Sequence, residues 1–450
     1  MNVLLISANT LAAPYPVYPL GLDYVAATLI QKHSVRIVDL NSTDIDALGR
    51  AIHDFQPGAV GISLRNIDNT DTTDPQGFMG GYQKLVKTIR RHTQAPVILG
   101  GAGFSIFPQR ILTALDADYG IVGEGEALGP LLDALAANGK VEELPGVVTP
   151  GGTPRPPAPM ANGFQRHFDP GYAHLPYYLQ HGGMLNIQTK RGCPFRCVYC
   201  TYPHIEGHRL RLMEPESVGD TARALQNAGA KYFFIADSAF NADVGHSLAV
   251  AEQFRLKGVS IPWGAFMAPL KMPETYYQSL ARAGMTHAEF GSESLSNSVL
   301  RAYGKPFNRG NILQAHGYAR EAGLRVAHYF LLGGPGETPE TMEMTLSHID
   351  KLKKSVLFLF CGMRIYPHTR LFHRAVDEGQ ISPNQDLLEP VFYQSPAIGR
   401  DDIIRRIKTK ANGRINWVIG SGGDETGPVL QRMYDRGYTG PLWEFLIRSA

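Results

Sequence analysis

The sequence predicts an α/β protein: two strand-and-helix units in tandem, each built on a parallel sheet, followed by a helical tail. Three observations carry this. Short β-branched or aromatic runs alternate with longer helical stretches from the first residues to about residue 380. The alternation is interrupted once, between 140 and 183, where Pro145, Pro150, Pro154, Pro156, Pro157, Pro159 and Pro170 lie among glycines with little helical period, the composition of a linker. Glycines also gather just after the strands, where turns need positive φ or close backbone approach.

The first unit spans 1–140, with strands expected at 3–7, 35–39, 59–64, 96–100 and 119–122 and helices at about 20–32, 43–54, 79–92, 108–115 and 126–137. Five strands in this rhythm give a flavodoxin-like or Rossmann-like doubly wound sheet, whose ligand lies beyond the carboxyl ends of the strands. The third strand runs into Leu64-Arg65-Asn66-Ile67-Asp68-Asn69, the fourth into Gly100-Gly101-Ala102-Gly103-Phe104-Ser105, the fifth into Gly123-Glu124-Gly125-Glu126. Ordinary tight turns explain each alone, whereas three in succession suit close approach to a large flat ligand.

After the linker at 141–183, a second unit at 184–384 repeats strand then helix six times, with strands at 185–188, 232–236, 260–266, 287–290, 326–332 and 356–365. Helices are expected at 215–228, 243–256, 274–283, 308–322 and 339–353. Six such units make a partial (β/α)6 barrel with its chemistry at the carboxyl ends of the strands. The tail, 385–450, holds helices at about 400–411 and 424–437 and then a short aromatic helix. It can cover the barrel's open side, and Tyr393, Trp417 and Trp443 fill a core there or stack on a substrate.

The formal charge of +2 on 450 residues gives no nucleic-acid footprint. No apolar run reaches the roughly 18 residues of a membrane span. The start, Met-Asn-Val-Leu-Leu-Ile-Ser, reads as a first strand rather than a signal peptide. Four cysteines, three of them clustered, fit a reducing cytoplasm and no disulfide framework.

Those three lie in Thr189-Lys-Arg-Gly-Cys193-Pro-Phe-Arg-Cys197-Val-Tyr-Cys200. The C-x3-C-x2-C spacing lets three thiolates converge from one loop. A zinc site takes four protein ligands, and Cys361 is distant and has no knuckle partner. Three thiolates fit a four-iron cluster with one iron left open; a structural zinc loop or a chance grouping of buried cysteines is the plainer alternative. With Tyr199 before the third cysteine, the pattern resembles the cluster loop of the radical S-adenosylmethionine (SAM) enzymes. That resemblance implies a [4Fe-4S] cluster on Cys193, Cys197 and Cys200. Its open iron would hold the amino and carboxylate groups of SAM, and an external flavodoxin-type or ferredoxin-type donor would supply the electron that cleaves it.

Later strand ends resemble the same family. Asp237 and Ser238, in Phe233-Phe-Ile-Ala-Asp237-Ser-Ala-Phe-Asn241, stand where the family contacts the SAM amino group, or Asp237 caps the next helix. Glu289-Phe-Gly291-Ser292-Glu293-Ser294, followed by Leu300 and Lys305, resembles G-x-E-S…L…K and implies that Glu293 and Ser294 bind SAM, with a cap role for Ser294 compatible. Gly333-Gly-Pro-Gly-Glu-Thr338 resembles G-x-P-G-E-T, placing the Gly333 backbone by the adenosine and Thr338 as a helix cap. Arg364-Ile-Tyr366-Pro367-His368-Thr369 is similar to the family's Y-P-G-T, with His368 replacing glycine as either a surface imidazole or a substrate group. Cys361 is either a packed small hydrophobe or a thiol that delivers hydrogen to the substrate or cofactor.

With the Pro16-x2-Pro19-Leu-Gly21 segment, the first unit resembles the cobalamin-binding domain of the B12-dependent radical SAM enzymes. It departs from the mutase-type domains, which carry D-x-H-x-x-G where this chain has Ser7-Ala-Asn-Thr-Leu-Ala-Ala-Pro-Tyr15. Arg65 is the residue expected under the corrin without ligating cobalt, or it pairs with Asp68, Asp71 or Asp74. The resemblance implies cobalamin contacts at Arg65, Asn66, Gly100, Gly101, Gly103, Phe104, Ser105, Gly123, Glu124, Gly125 and Glu126. It implies a methyltransferase that moves a methyl group from cobalt to a carbon or phosphorus centre of a small molecule, lipid precursor or peptide. The alternatives are an oxidative cyclase or ring-rearranging enzyme on the same cofactors, and a non-catalytic cobalamin-binding protein. A cytoplasmic monomer with no nucleic-acid partner is expected.

Overall fold

The computed structural model describes residues 1–12, 15–158, 164–420, 422 and 426–447. Pro159 and the start of the helix expected at 424 lie outside them. The first sheet holds β1 (Asn2–Ser7), β2 (Ser34–Asp39), β3 (Ala59–Ser63), β4 (Val97–Gly100), β5 (Tyr119–Ile121) and β6 (Val147–Val148), in the order β2-β1-β3-β4-β5-β6. The first five run parallel and β6 returns antiparallel to β5. Side-chain alternation explains why both faces carry helices: Val3 and Leu5 enter one core, Leu4 and Ile6 the other. Fully burying each such side chain contributes roughly 1.5–3 kcal/mol. β6 falls within the proline-rich stretch read as linker; at two residues it is too short to show a period.

The second sheet is parallel throughout, in the order β17-β14-β13-β12-β11-β10-β7. In chain order its strands are β7 (Met184–Ile187), β10 (Tyr232–Ile235), β11 (Trp263–Met267), β12 (Met285–Glu293), β13 (Arg325–Leu332), β14 (Ser355–Cys361) and β17 (Trp417–Ile419). Two short ribbons complete it: β8 (Lys190–Arg191) with β9 (Arg211–Leu212), and β15 (Met363–Arg364) with β16 (Phe392–Tyr393), both antiparallel. The single strand expected at 356–365 breaks into β14 and β15 at Gly362, whose φ is +80°. The tail read as helical does hold Arg400–Ala411 and Thr426–Asp435 as helices, yet it also supplies β17 as a seventh barrel strand. Three residues carry no readable strand pattern.

Alternation fixes what faces the barrel's concave side. Leu185, Ile187, Phe233, Ile235, Trp263, Ala265, Ala288 and Phe290 pack outward with the helix residues Val218, Leu225, Val250 and Phe254. Their neighbours Phe234, Phe266, Glu289, Glu293, Tyr329 and Phe358 therefore face inward. The short helix Leu442–Leu446 closes the amino-terminal end of the barrel: Trp443 Nε1 donates to Glu289 at 2.9 Å, and Glu444 pairs with Arg325. Among the described residues no helix is long and apolar enough to cross a membrane.

The two units are latched together. Arg364 Nε of β15 donates to Asp68 Oδ2 at 2.8 Å with both side chains buried, and Thr72 Oγ1 donates to the Cys361 carbonyl at 2.5 Å.

Candidate active site

The cysteine loop leaves β8 through Gly192, whose φ of +86° brings its backbone against Arg209, where a side chain would collide with the Arg209 carbonyl. Cys193 N then donates to Gly207 O at 3.1 Å. Cys193 is buried and Cys197 and Cys200 are half-buried. Burial pushes the Cys197 thiol up and the Cys200 thiol up to about 12, each raised further by the other cysteines. Thiolate ligation there thus requires a cationic centre to offset the burial. Three thiolates on one loop suit a four-iron cube, which places each external thiolate on a separate iron.

The entry to the loop is pinned from beneath. Asp237 accepts from Thr189 N at 2.8 Å, Thr189 Oγ1 at 2.6 Å and Lys190 Nζ at 2.7 Å. The Lys190 and Asp237 side chains are fully buried. Asp237 is 1 % exposed and three of its roughly four acceptor sites are taken up in holding the loop, so its place in the structure is as an anchor of that loop. It does not cap the next helix, since Asp243 caps Val244–Leu256. Ser238 stays beside the loop and donates to the Gly192 carbonyl at 3.4 Å.

Glu293 ends β12 with φ at +64°, in the left-handed region, at a register shift against β13. Its Oε1 accepts from Tyr199 Oη at 2.8 Å and from Lys305 Nζ at 2.7 Å, and Lys305 Nζ also donates to Tyr199 Oη at 2.8 Å. Burial pulls the Lys305 ammonium down, but Glu293, Tyr199 and Cys197 outweigh it and hold the group well above the ordinary lysine value. A permanent cation therefore stands beside the cysteines. Lys305 was quoted in the motif reading but given no role.

In the first unit, a cleft enclosing about 230 Å³ opens at the carboxyl ends of the strands, lined by Ser63, Gly100, Gly101, Gly123, Gly125 and, from the cysteine-loop side, Gln188, Arg191, Ile205 and Glu206. Glu124 and Glu126 also line it, but Arg191 pairs with them at 3.1 and 2.5 Å and Arg211 pairs with Glu124. These carboxylates tie the cysteine loop to the first unit while lining the cleft where cofactor contacts are expected of them. Gly103, Phe104 and Ser105 are corrected. They sit in the helix Ala102–Ile106; Phe104 fills the core over Gly120, Gly103 N donates to Leu64 O, and Ser105 Oγ accepts from Gly123 N.

Arg65 has no hydrogen-bond or ion-pair partner among the described residues; the Asp68 it was expected to pair with belongs to Arg364. Its side chain keeps solvent access yet is ringed by protein, as in a cavity. Burial lowers its pKa, while Tyr15, Tyr178 and Tyr82 act to raise it. Asn66 is half-buried beside it, its carbonyl accepting from Tyr82.

Three further expectations are corrected. Ser294 is buried in the wall, bonded to Thr345 Oγ1 and accepting from Ser296 N. The Gly333 carbonyl accepts from Ser395 N at 2.7 Å, so that backbone is bound to the tail. Cys361 packs outward from β14 at 2 % exposure with Leu359, Ile398 and Ile403, its thiol pushed up to about 12 by burial. A group so placed packs rather than reacts. His368 is exposed, takes the left-handed φ of +63°, and stacks on His204 at 5.0 Å. Thr338 caps Pro339–Ile349 in a capping box, as its motif predicts. The sequence reading missed Lys190 and Arg191, whose only signal was nearness to Cys193, and Arg211, which the short ribbon brings opposite Arg191.

Comparison with known proteins places these features. Residues 6–132 match the B12 binding domain model and residues 187–349 the radical SAM superfamily model. An uncharacterised methyltransferase of Pyrococcus horikoshii is 28% identical over 372 residues, 80% of this chain and 78% of that protein. Tryptophan 2-C-methyltransferase of Streptomyces laurentii is 25% identical over 444 residues, 82% of this chain and 74% of that one. The fold matches that of the radical SAM methyltransferase TsrM from Kitasatospora setae, with a TM-score of 0.87, 23% identity and coverage of 99% of this chain and 97% of that one.

A B12-binding domain joined to a radical SAM domain defines the class: the protein is a cobalamin-dependent radical SAM enzyme. Its cofactors are a [4Fe-4S] cluster, SAM and cobalamin. The donor set fits them. Three cysteines of one loop suit the cluster, and glycines at the strand ends, with an arginine after the third strand that has no partner among the described residues, suit a corrin.

Proposed function

We propose that this enzyme is a methyltransferase that moves a methyl group to a carbon or phosphorus centre of a small molecule, lipid precursor or peptide. The observation that carries this reading is the shared cleft: strand ends of the B12-binding domain and flanks of the cysteine loop line one space. Two cofactors held on either side of it can act on one substrate, and catalysis is then largely positioning. When bound, the cluster supplies one-electron cleavage of SAM and the corrin supplies a methyl group carried on cobalt.

The chain's own residues hold and orient. Cys193, Cys197 and Cys200 ligate the cluster, and the Lys190–Asp237 pair keeps their loop from shifting, since breaking a buried pair costs about 3–5 kcal/mol. Glu293, fixed by Lys305 and Tyr199, presents its remaining lone pairs to the ammonium or ribose hydroxyls of SAM, with Ser238 at the rim. Arg65, a cation with no lone pair to give a metal, would, with Asn66, hold the corrin without ligating cobalt. Gly100, Gly101, Gly123 and Gly125 let backbone approach the nucleotide tail. His368, at the mouth with His204, stands where a substrate enters. The reaction takes electrons from a flavodoxin-type or ferredoxin-type donor, in a cytoplasmic monomer.

Anaerobic turnover with candidate substrates, read by product mass, tests this. Methyl transfer adds about 14 mass units to the substrate, with the cofactors supplying the chemistry. A product that has only lost hydrogens assigns the enzyme to oxidative cyclisation and ends the methyltransferase reading.

A further inference from the structure

Glu289 is the most anomalous group in the barrel. It lies at 1 % exposure on the concave face of β12. Its partners are two neutral donors, Tyr329 Oη at 2.7 Å and Trp443 Nε1 at 2.9 Å, and no cation among the described residues pairs with it. Burial raises its pKa to about 7, against the pull of those two bonds. A buried carboxyl without a counter-charge costs several kcal/mol that an apolar residue would not. It needs a use.

The surroundings supply one. Phe266, in register with Glu289, faces the lumen and stays 38 % exposed inside a barrel whose outward wall is buried. Tyr329 stacks on Phe358 at 4.8 Å with planes 16° apart and meets the Phe266 ring edge-on at 6.2 Å. One step along the same inward row stands Gly291, opposite Tyr329 in register. The Glu293 carboxylate reaches back over it, its Oε1 3.2 Å from where a Cβ on Gly291 would stand, so a side chain there would crowd the row between Glu289 and Glu293. The lumen there has an aromatic wall, with the Glu289 carboxyl as its floor.

Two tyrosines, Tyr15 and Tyr329, stand near Glu289, and Tyr329 is the one that hydrogen-bonds to it. Its proton is committed to Glu289, so its oxygen is left with lone pairs to accept, and the carboxylate behind it strengthens that acceptor.

We propose that the lumen between the Glu289 and Glu293 layers is the substrate pocket, and that it takes a planar aromatic small molecule bearing an N–H or O–H group, stacked on Phe266 and the Tyr329–Phe358 pair and donating to the Tyr329 hydroxyl. Tyr329 is then a substrate-binding residue and Glu289 the residue that positions it. This rests on the methyltransferase reading, because it names the class of acceptor for that reaction. It also narrows that reading, since lipid precursors and aliphatic chains lack the ring and the donor.

The test is equilibrium binding to the reconstituted holoenzyme, with indole and phenol as aromatic donors, N-methylindole and toluene as ring-only controls, and cyclohexanol as a donor without an aromatic ring. Indole or phenol is expected to bind about tenfold tighter than its matched control, the worth of one hydrogen bond to a buried partner. In Tyr329→Phe that preference disappears while the ring-only probes keep their affinity. Glu289→Gln, which keeps shape, reduces the preference by a smaller factor. Iron and corrin content is measured on each variant, so a failure of the pocket is separated from a failure of the cofactor assignment. A protein that retains both cofactors yet binds cyclohexanol as well as phenol, binds none of the aromatic probes, or keeps its indole preference in Tyr329→Phe overturns the proposal.

Discussion

Glu289 and Glu293 lie four residues apart on the same face of one strand, and they are held in opposite ways. Glu293 meets a buried lysine and a tyrosine beside the cysteines, with its backbone in the left-handed region to bring it there. Glu289 has only a tyrosine and an indole, and burial lifts its carboxyl to about 7. The upper carboxylate is locked in place by a lysine and a tyrosine near the cluster loop, whereas the lower one is lifted to about 7 in an aromatic chamber. Pairing, rather than depth of burial, separates a structural electrostatic element from a tunable one.

The comparison can be broken in several ways, and the largest expected effect comes from removing what the upper layer serves. Cys197→Ala should leave iron content near background and no SAM cleavage, whereas substitutions at Glu289 should leave the iron untouched; iron assay and detection of 5′-deoxyadenosine read both. Next in size, Lys305→Met strands Glu293 in a buried site and should cost about 3–5 kcal/mol in denaturant unfolding. An unchanged unfolding midpoint would mean that the Lys305 pair does not hold the upper layer.

The third test concerns the lower layer alone. The folded-state pKa of Glu289 lies above its unfolded value, so the native state binds more protons across the window from about 4.5 to 7. Stability of the wild type relative to Glu289→Gln should therefore fall as pH rises through that window, by on the order of 3 kcal/mol, and level off above it. Parallel stability curves for the two proteins would remove the distinction between the layers. The smallest effect is expected outside both. Cys361→Ala should cost about 1–2 kcal/mol through its packing and leave turnover unchanged.

The elements with long periods were legible in the sequence: both sheets, their mainly parallel strands and the helices of nine residues or more follow from runs of strand and helix pattern. The cysteine loop was legible because three ligands must share one short segment. What the sequence hid was the partnership of charged residues. Asp237, Glu124 and Glu126 stand where a cofactor contact is expected, and only the fold reveals Lys190, Arg191 and Arg211 already occupying them. Phe104 and Ser105 were read as loop residues because the five-residue helix that turns them inward shows no period. Glu289 and Trp443 meet across 154 residues, which no local pattern encodes. Short strands in the linker and tail, β6 and β17, escaped for the same reason.

The central claim is that one chain brings a cubane cluster and a corrin to a common cleft. Electron paramagnetic resonance of anaerobically reconstituted, reduced protein tests it most directly. The expected spectrum combines a reduced [4Fe-4S] signal that changes when SAM is added with a cob(II)alamin signal from corrin that stays bound through gel filtration. Protein that shows a SAM-responsive cluster but loses all corrin on the column, or keeps corrin with no cluster signal, would contradict the account.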